Sequence, residues 1–152
     1  MHTVRTVVFI CLVGLVSCFA KQAEDAPSPV RVAEVVQELT PPSELALLMR
    51  AMAAHADTVK AALGRGAELP PYPKNFKKLL KAGPTKGMHI DPITFPTFGT
   101  DYLGKIDRLY KAKKVDRTMA YNALVQSCAN CHGTHCPGPL MRIKKMYATS
   151  TK

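Results

Sequence analysis

Two thiols and an imidazole stand together at Cys128-Ala129-Asn130-Cys131-His132. Cysteines separated by two residues can each form a thioether with one vinyl group of a porphyrin. The residue that follows then offers a ring nitrogen to the iron. The C-x-x-C-H spacing therefore reads as the attachment signature of one covalent haem c. Cys128 and Cys131 are the expected thioether sites, and His132 is the expected proximal axial ligand.

Cys136 is a third thiol, with no thioether to make. Thiolate is a good ligand for haem iron and lowers its potential relative to Met. In a continuing helix it would lie one turn beyond His132 on the same side. Gly133 permits another path, because four extended residues span roughly 13–14 Å, enough to round a porphyrin edge. Cys136 is thus a candidate second axial ligand, to this haem or to a partner's. The other readings are a buried inert thiol and an intermolecular disulfide. Met49 and Met52 are further ligand candidates, although a Met pair at helical spacing also serves as core. Arg50 is a candidate partner for a haem propionate. His55 reads as a core-edge residue, Met88 and His89 are weaker candidates in a loop, and His135 is expected to face solvent. No acid/base pair besides His135 lies near the motif, so no catalytic residues and no enzymatic activity are expected.

Two rival chemistries share these residues. Cys128, Cys131, His132, His135 and Cys136 could surround a zinc ion, which would make this a zinc-binding module. An exported, helical setting argues against that. Cys136-Pro137-Gly138-Pro139-Leu140-Met141 resembles the cysteine motif of TusA-type sulfur-transfer proteins. Those need a small α/β fold, and no strands are expected here.

The chain has 152 residues and no Trp. It is enough for one modest core, with no internal repeat. Arg5 followed by the apolar run Val7 to Val16 reads as a signal peptide over residues 1–20, with cleavage after Ala20. The alternative is lipoprotein processing, because Leu15-Val16-Ser17-Cys18 has the look of a lipobox and would leave Cys18 acylated. Either places the protein in the periplasm or an equivalent extracytoplasmic compartment, with no membrane span after processing. Removing residues 1–20 takes away one Arg and no acid, so the net charge of +10 becomes +9. That charge suits a solvated basic face or a docking surface for an acidic redox partner protein. Nucleic acid is not an expected partner of an exported chain.

The elements that must position these residues are helical. Residues 21–42 read as a mobile leader with a short helix over Val30 to Leu39. Residues 43–152 form the expected haem-binding bundle. Ser43 caps the first long helix, whose apolar positions are Leu45, Leu48, Met49, Met52, Ala56, Val59 and Leu63. Gly64-Arg65-Gly66 stops it. Asn75 to Ala82 reads as a short basic helix with Phe76, Leu79 and Leu80 inward. Residues 83–100 read as an irregular stretch long enough to wrap a ligand. Thr100 or Asp101 caps the next helix, with Leu103, Ile106, Leu109 and Tyr110 inward. Asp116 caps the last long helix, with Met119, Tyr121, Leu124, Val125 and Cys128 near one stripe. Gly138 to Tyr147 is a final basic helix. The fold class is all-α, an antiparallel four-helix bundle with the haem motif near the end of the last long helix.

Three stretches carry a resemblance to a known family. They are Met49-Arg50-Ala51-Met52-Ala53-Ala54-His55, the Phe95-Pro96 turn, and Tyr121-Asn122-Ala123-Leu124 leading to Cys128. Over roughly residues 43–132 the chain resembles class II c-type cytochromes, the cytochrome c′ and c556 group. Its size and cysteine-bearing tail are also similar to the small NaxL/NaxS-type heterodimeric cytochromes of anammox bacteria. The resemblance implies a haem on the last long helix, a distal wall from the first long helix, and NO or CO as ligands. It also implies electron transfer and a homo- or heterodimer with a related cytochrome. The family commonly carries an Arg four residues after the proximal His, where this chain has Cys136. The narrower match implies a His/Cys-ligated haem. A six-coordinate haem that only carries electrons is the alternative function.

Overall fold

Ser43 starts the first helix as its residue type predicts. Its backbone is extended, and its Oγ accepts the Ala46 N–H at 3.1 Å, satisfying one of the orphan amides of the first turn. Helix α1 then spans Glu44–Gly64. Leu45, Leu48, Met52, Ala56 and Val59 are buried at steps of three and four, while Met49 and Leu63 pack at the edge of the core. Gly66 takes a positive φ of 62°, and the Ala67 N–H returns to the Ala62 carbonyl at 2.9 Å. This closes α1 with a left-handed glycine cap. The computed structural model describes residues 41–149. The signal peptide expected over 1–20, and all of the 21–42 leader except Pro41 and Pro42, lie outside the described residues. The Val30 to Leu39 helix is among those outside.

The short basic element is a 3-10 helix, Lys74–Leu80, rather than an α-helix. Its apolar residues explain this. Phe76, Leu79 and Ala82 recur every third residue and are all buried, which matches three residues per turn. Leu80, predicted inward, falls on the next row and is 42% exposed.

Helix α2 spans Thr94–Lys111, so it begins well before the predicted cap at Thr100 or Asp101. Asp91 makes the early start possible. Its Oδ1 accepts the amides of Ile93 and Thr94 at 3.0 and 2.7 Å, and its carbonyl accepts the Phe95 amide at 3.1 Å. Pro96 lacks an N–H, but it sits in the first turn, where that group would have no helical partner. Gly99 is in the helix interior because the 3-10 element crowds it. A Cβ there would meet Leu80 Cδ2 at 2.5 Å.

Helix α3 spans Arg117–His135 and runs unbroken through the C-x-x-C-H residues and Gly133. Two expectations fail at its start. Asp116 makes no side-chain cap; a 3-10 turn, Lys114–Asp116, leads in instead. Met119 is 71% exposed, because it lies two residues from Tyr121 and so on the opposite side of the helix. Tyr121, Leu124 and Val125 do face the core. The final basic helix is one short turn, α4, spanning Leu140–Lys144, with Met146 buried just beyond it.

The fold is all-α, with no strand among the described residues. Helix α3 packs most closely on α2 and also touches α1 and α4, while the 3-10 element lies on α1 and α2. None of the described helices is long and apolar enough to cross a membrane. Tyr121 ties the layers together. It is fully buried, and its one hydroxyl proton is shared between the Ala56 carbonyl at 3.1 Å and the Met146 carbonyl at 2.9 Å. Replacing it with Phe removes the one side-chain donor that links these two carbonyls. Tyr121→Phe should lower unfolding stability by about 1–2 kcal/mol in urea titrations. An unchanged midpoint would show that the hydroxyl contributes nothing.

Candidate haem site

The continuous α-helix sets the register of the motif. Cys128, Cys131, His132 and His135 follow one another by three, one and three residues, which places them along one face of α3. His132 is half-buried, and its Nδ1 lies 3.0 Å from the Cys136 carbonyl oxygen. A carbonyl only accepts, so Nδ1 carries the proton and donates. Nε2 is then left with its lone pair, the form in which histidine binds iron.

Three adjoining apolar cavities lie between α1, α3 and the start of α2. The largest, about 270 Å³, is lined by Met49, Arg50, Met88, His132, His135 and Cys136 among others. The second, about 230 Å³, is lined by Met49, Arg50, Met52, Tyr102, Cys128 and His132. A small third one adds Leu79 and Phe98 and shares Cys131 with the first and Cys128 with the second. Met49 and His132 border all three. One cleft thus brings together Cys128, Cys131, His132 and Cys136 from the end of α3, and Met49, Arg50 and Met52 from α1. Two thiols, an imidazole in the ligating tautomer and apolar walls are the residue chemistry that a covalently held haem would need.

Cys136 is where the structure narrows the sequence reading. The chain does not leave the helix at Gly133, and the Cys136 amide still donates to the His132 carbonyl at 3.1 Å. Cys136 therefore stays one turn past His132, and the route around a porphyrin edge is not taken. Its thiol is near enough to Cys131 to help raise the Cys131 pKa, burial being the larger cause.

His135 departs from expectation, being half-buried rather than solvent-facing. Its Nε2 lies 3.1 Å from Thr94 Oγ1, while the Thr94 hydroxyl donates to Asp91 Oδ1 at 2.8 Å. With the threonine proton committed to Asp91, His135 Nε2 must be the donor. The Phe95 and Phe98 rings meet His135 edge-on at 6.1 and 5.7 Å. The three donations from Thr94 and Ile93 hold the Asp91 carboxyl below its usual range. Phe95 and Phe98 stand at helical spacing, which was the available sign that this stretch is a helix facing the cleft.

Other candidates separate. His55 lies off the cleft, where its Nε2 meets the Tyr110 hydroxyl at 2.9 Å and its ring packs edge-on against Phe76. Burial lowers its pKa. Met88 and His89 are exposed and border only the first of these three cavities. Among the described residues, no three His, Cys, Asp or Glu side chains are grouped to hold a metal ion, so the zinc reading gains nothing from the geometry.

Burial pushes the Cys128 thiol up to about 12, with Cys131 a smaller cause. Both motif cysteines are thus neutral thiols at ordinary pH. In haem-free protein at pH 8, iodoacetamide should modify Cys128 more slowly than Cys131, because the thiolate is the reactive form. Peptide mass spectrometry over time reads the order, and faster labelling of Cys128 would contradict its burial. Comparison of this chain with protein-family models, with curated proteins and with solved structures finds no match.

Proposed function

We propose that this chain is an exported mono-haem c-type cytochrome of the class II kind. It carries single electrons and takes NO or CO at the face of the haem opposite His132. The observation that carries this reading is the His132 Nδ1 bond to the Cys136 carbonyl, made at the wall of an apolar cleft that also holds both motif thiols. When bound, haem c supplies a one-electron couple and an axial coordination position.

The protein's own residues would do the rest. Cys128 and Cys131 anchor the group, and His132 is held in one tautomer and one orientation. Met49 and Met52 form the α1 wall, which excludes water and suits small uncharged molecules. Arg50 is exposed at the rim, where a guanidinium can pair with a propionate without being desolvated. We read α1, α2 and α3 as three members of an antiparallel four-helix bundle. The partners are an acidic redox protein and a second, related cytochrome subunit. Export is to the periplasm or its equivalent, with a lipid anchor at Cys18 as the alternative to cleavage after Ala20.

A second reading rests on Met49, whose side chain borders every cavity that His132 borders. As a sixth ligand it would give a six-coordinate haem devoted to electron transfer. Cys136, left on the His132 side of the helix end, is a candidate ligand only for a partner subunit's haem.

Absorption spectra of the reduced holoprotein with and without CO separate the two readings. The gas-binding reading expects a prompt CO-dependent shift of the Soret band in the unaltered protein. A shift seen only in Met49→Ala assigns the sixth position to Met49 and the role to electron carriage. Unchanged spectra in Cys136→Ser would remove the thiol as a ligand.

A further inference from the structure

The 3-10 element between the cleft and solvent carries an unusual balance of charge. Residues 69–90 hold Lys74, Lys77, Lys78, Lys81 and Lys86 and no Asp or Glu. All five lysines are exposed, and none is in an ion pair among the described residues. Elsewhere among the described residues three basic side chains are paired, Lys105 with Asp101, Arg117 with Glu68 and Arg142 with Asp57. Two acids touch this stretch from other elements, and both are engaged away from the lysines: Glu44 accepts the Gly83 amide, and Asp107 accepts the Tyr72 hydroxyl.

Three residues per turn sort this element into rows. Phe76 and Leu79 point inward, and Leu79 borders the small cavity shared with Cys128, Cys131 and His132. Lys74, Lys77 and Leu80 form one outer row, and Lys78 and Lys81 the next. An exposed Leu80 thus sits among lysines, one side chain away from the cleft wall. A charged ring around an apolar contact is the form of a surface that steers a partner and then lets it make dry contact.

We propose that Lys74, Lys77, Lys78 and Lys81, with Leu80 among them, form the docking face for the acidic surface of a redox protein, and that electrons cross there through Leu79. The proposal rests on the haem reading above. Each encounter moves one electron, the acidic partner being oxidised as this protein is reduced, or the reverse. Charge complementarity selects the partner, because the face offers four cations with no acid of its own to neutralise them.

The test uses reduced holoprotein and two anionic probes, with Lys78→Glu/Lys81→Glu compared against Lys113→Glu/Lys114→Glu. Both doubles change net charge equally. Lys113 and Lys114 are exposed, border none of the three cleft cavities, and follow the far end of α2, a helix roughly 25 Å long. Stopped-flow oxidation by hexacyanoferrate(III) should slow about 10-fold at low ionic strength in the first double, and less than about 3-fold in the second. Redox-inert hexacyanochromate(III) should broaden amide NMR signals over residues 74–81 in the unaltered protein and not in the first double. Equal rate losses in the two doubles, or broadening centred on residues 111–114, would overturn the docking face while leaving the haem reading intact. A chain that acquires no haem in a host with c-type maturation would overturn both.

Discussion

The hydrogen bond from His132 Nδ1 to the Cys136 carbonyl exists because α3 continues for one turn beyond the C-x-x-C-H residues. A break at Gly133 would carry that carbonyl away and free the imidazole to choose either tautomer. The same continuity aligns Cys128, Cys131 and His132 along one face. It also makes α3 the helix that α1, α2 and α4 all pack against. Tyr121, two turns before the motif, fixes α3 to α1 and to the C-terminal turn through its two carbonyl acceptors. The geometry of three small groups is therefore set by the packing of the whole helical body, which is how a preorganised ligand site is maintained.

Residue chemistry was legible where it was local. Ser43, the three-and-four spacing of α1 and the Gly66 stop all act within a few residues, and the structure follows them. The start of α2 was not legible, because Pro96 and Gly99 normally interrupt helices. Pro96 is harmless only since its amide would have been an orphan, and Gly99 leaves room for the Leu80 side chain that lies against it. The 3-10 period of Phe76, Leu79 and Ala82 was visible, but a short basic run fits an α-helix about as well. His135 was misplaced for the same reason as α2: its partners Thr94, Phe95 and Phe98 were assigned to irregular chain.

The cleft itself is a tertiary fact. Met49 and His132 are far apart in sequence, and nothing in their spacing unites them. What nominated the α1 methionines was their place on an amphipathic helix and the resemblance to class II cytochromes. The structure adds that Met49 borders each cavity bordered by His132. It also leaves Cys136 on the His132 side of the helix end, so the three thiols of the described residues differ in setting. Two are neutral and aligned, and one ends the helix. The cationic 3-10 element supplies an outer face to the same cleft, which links a solvent-exposed charge pattern to the site behind it.

The central claim is that Cys128 and Cys131 bind one haem covalently beneath His132. Intact-mass spectrometry of the full chain, produced in a host with c-type maturation and denatured before measurement, tests it most directly. The account predicts a polypeptide heavier by one haem, with that increment lost in Cys128→Ala/Cys131→Ala and retained in His132→Ala at reduced yield. A chain that folds, retains both thiols free and shows no added mass would contradict it.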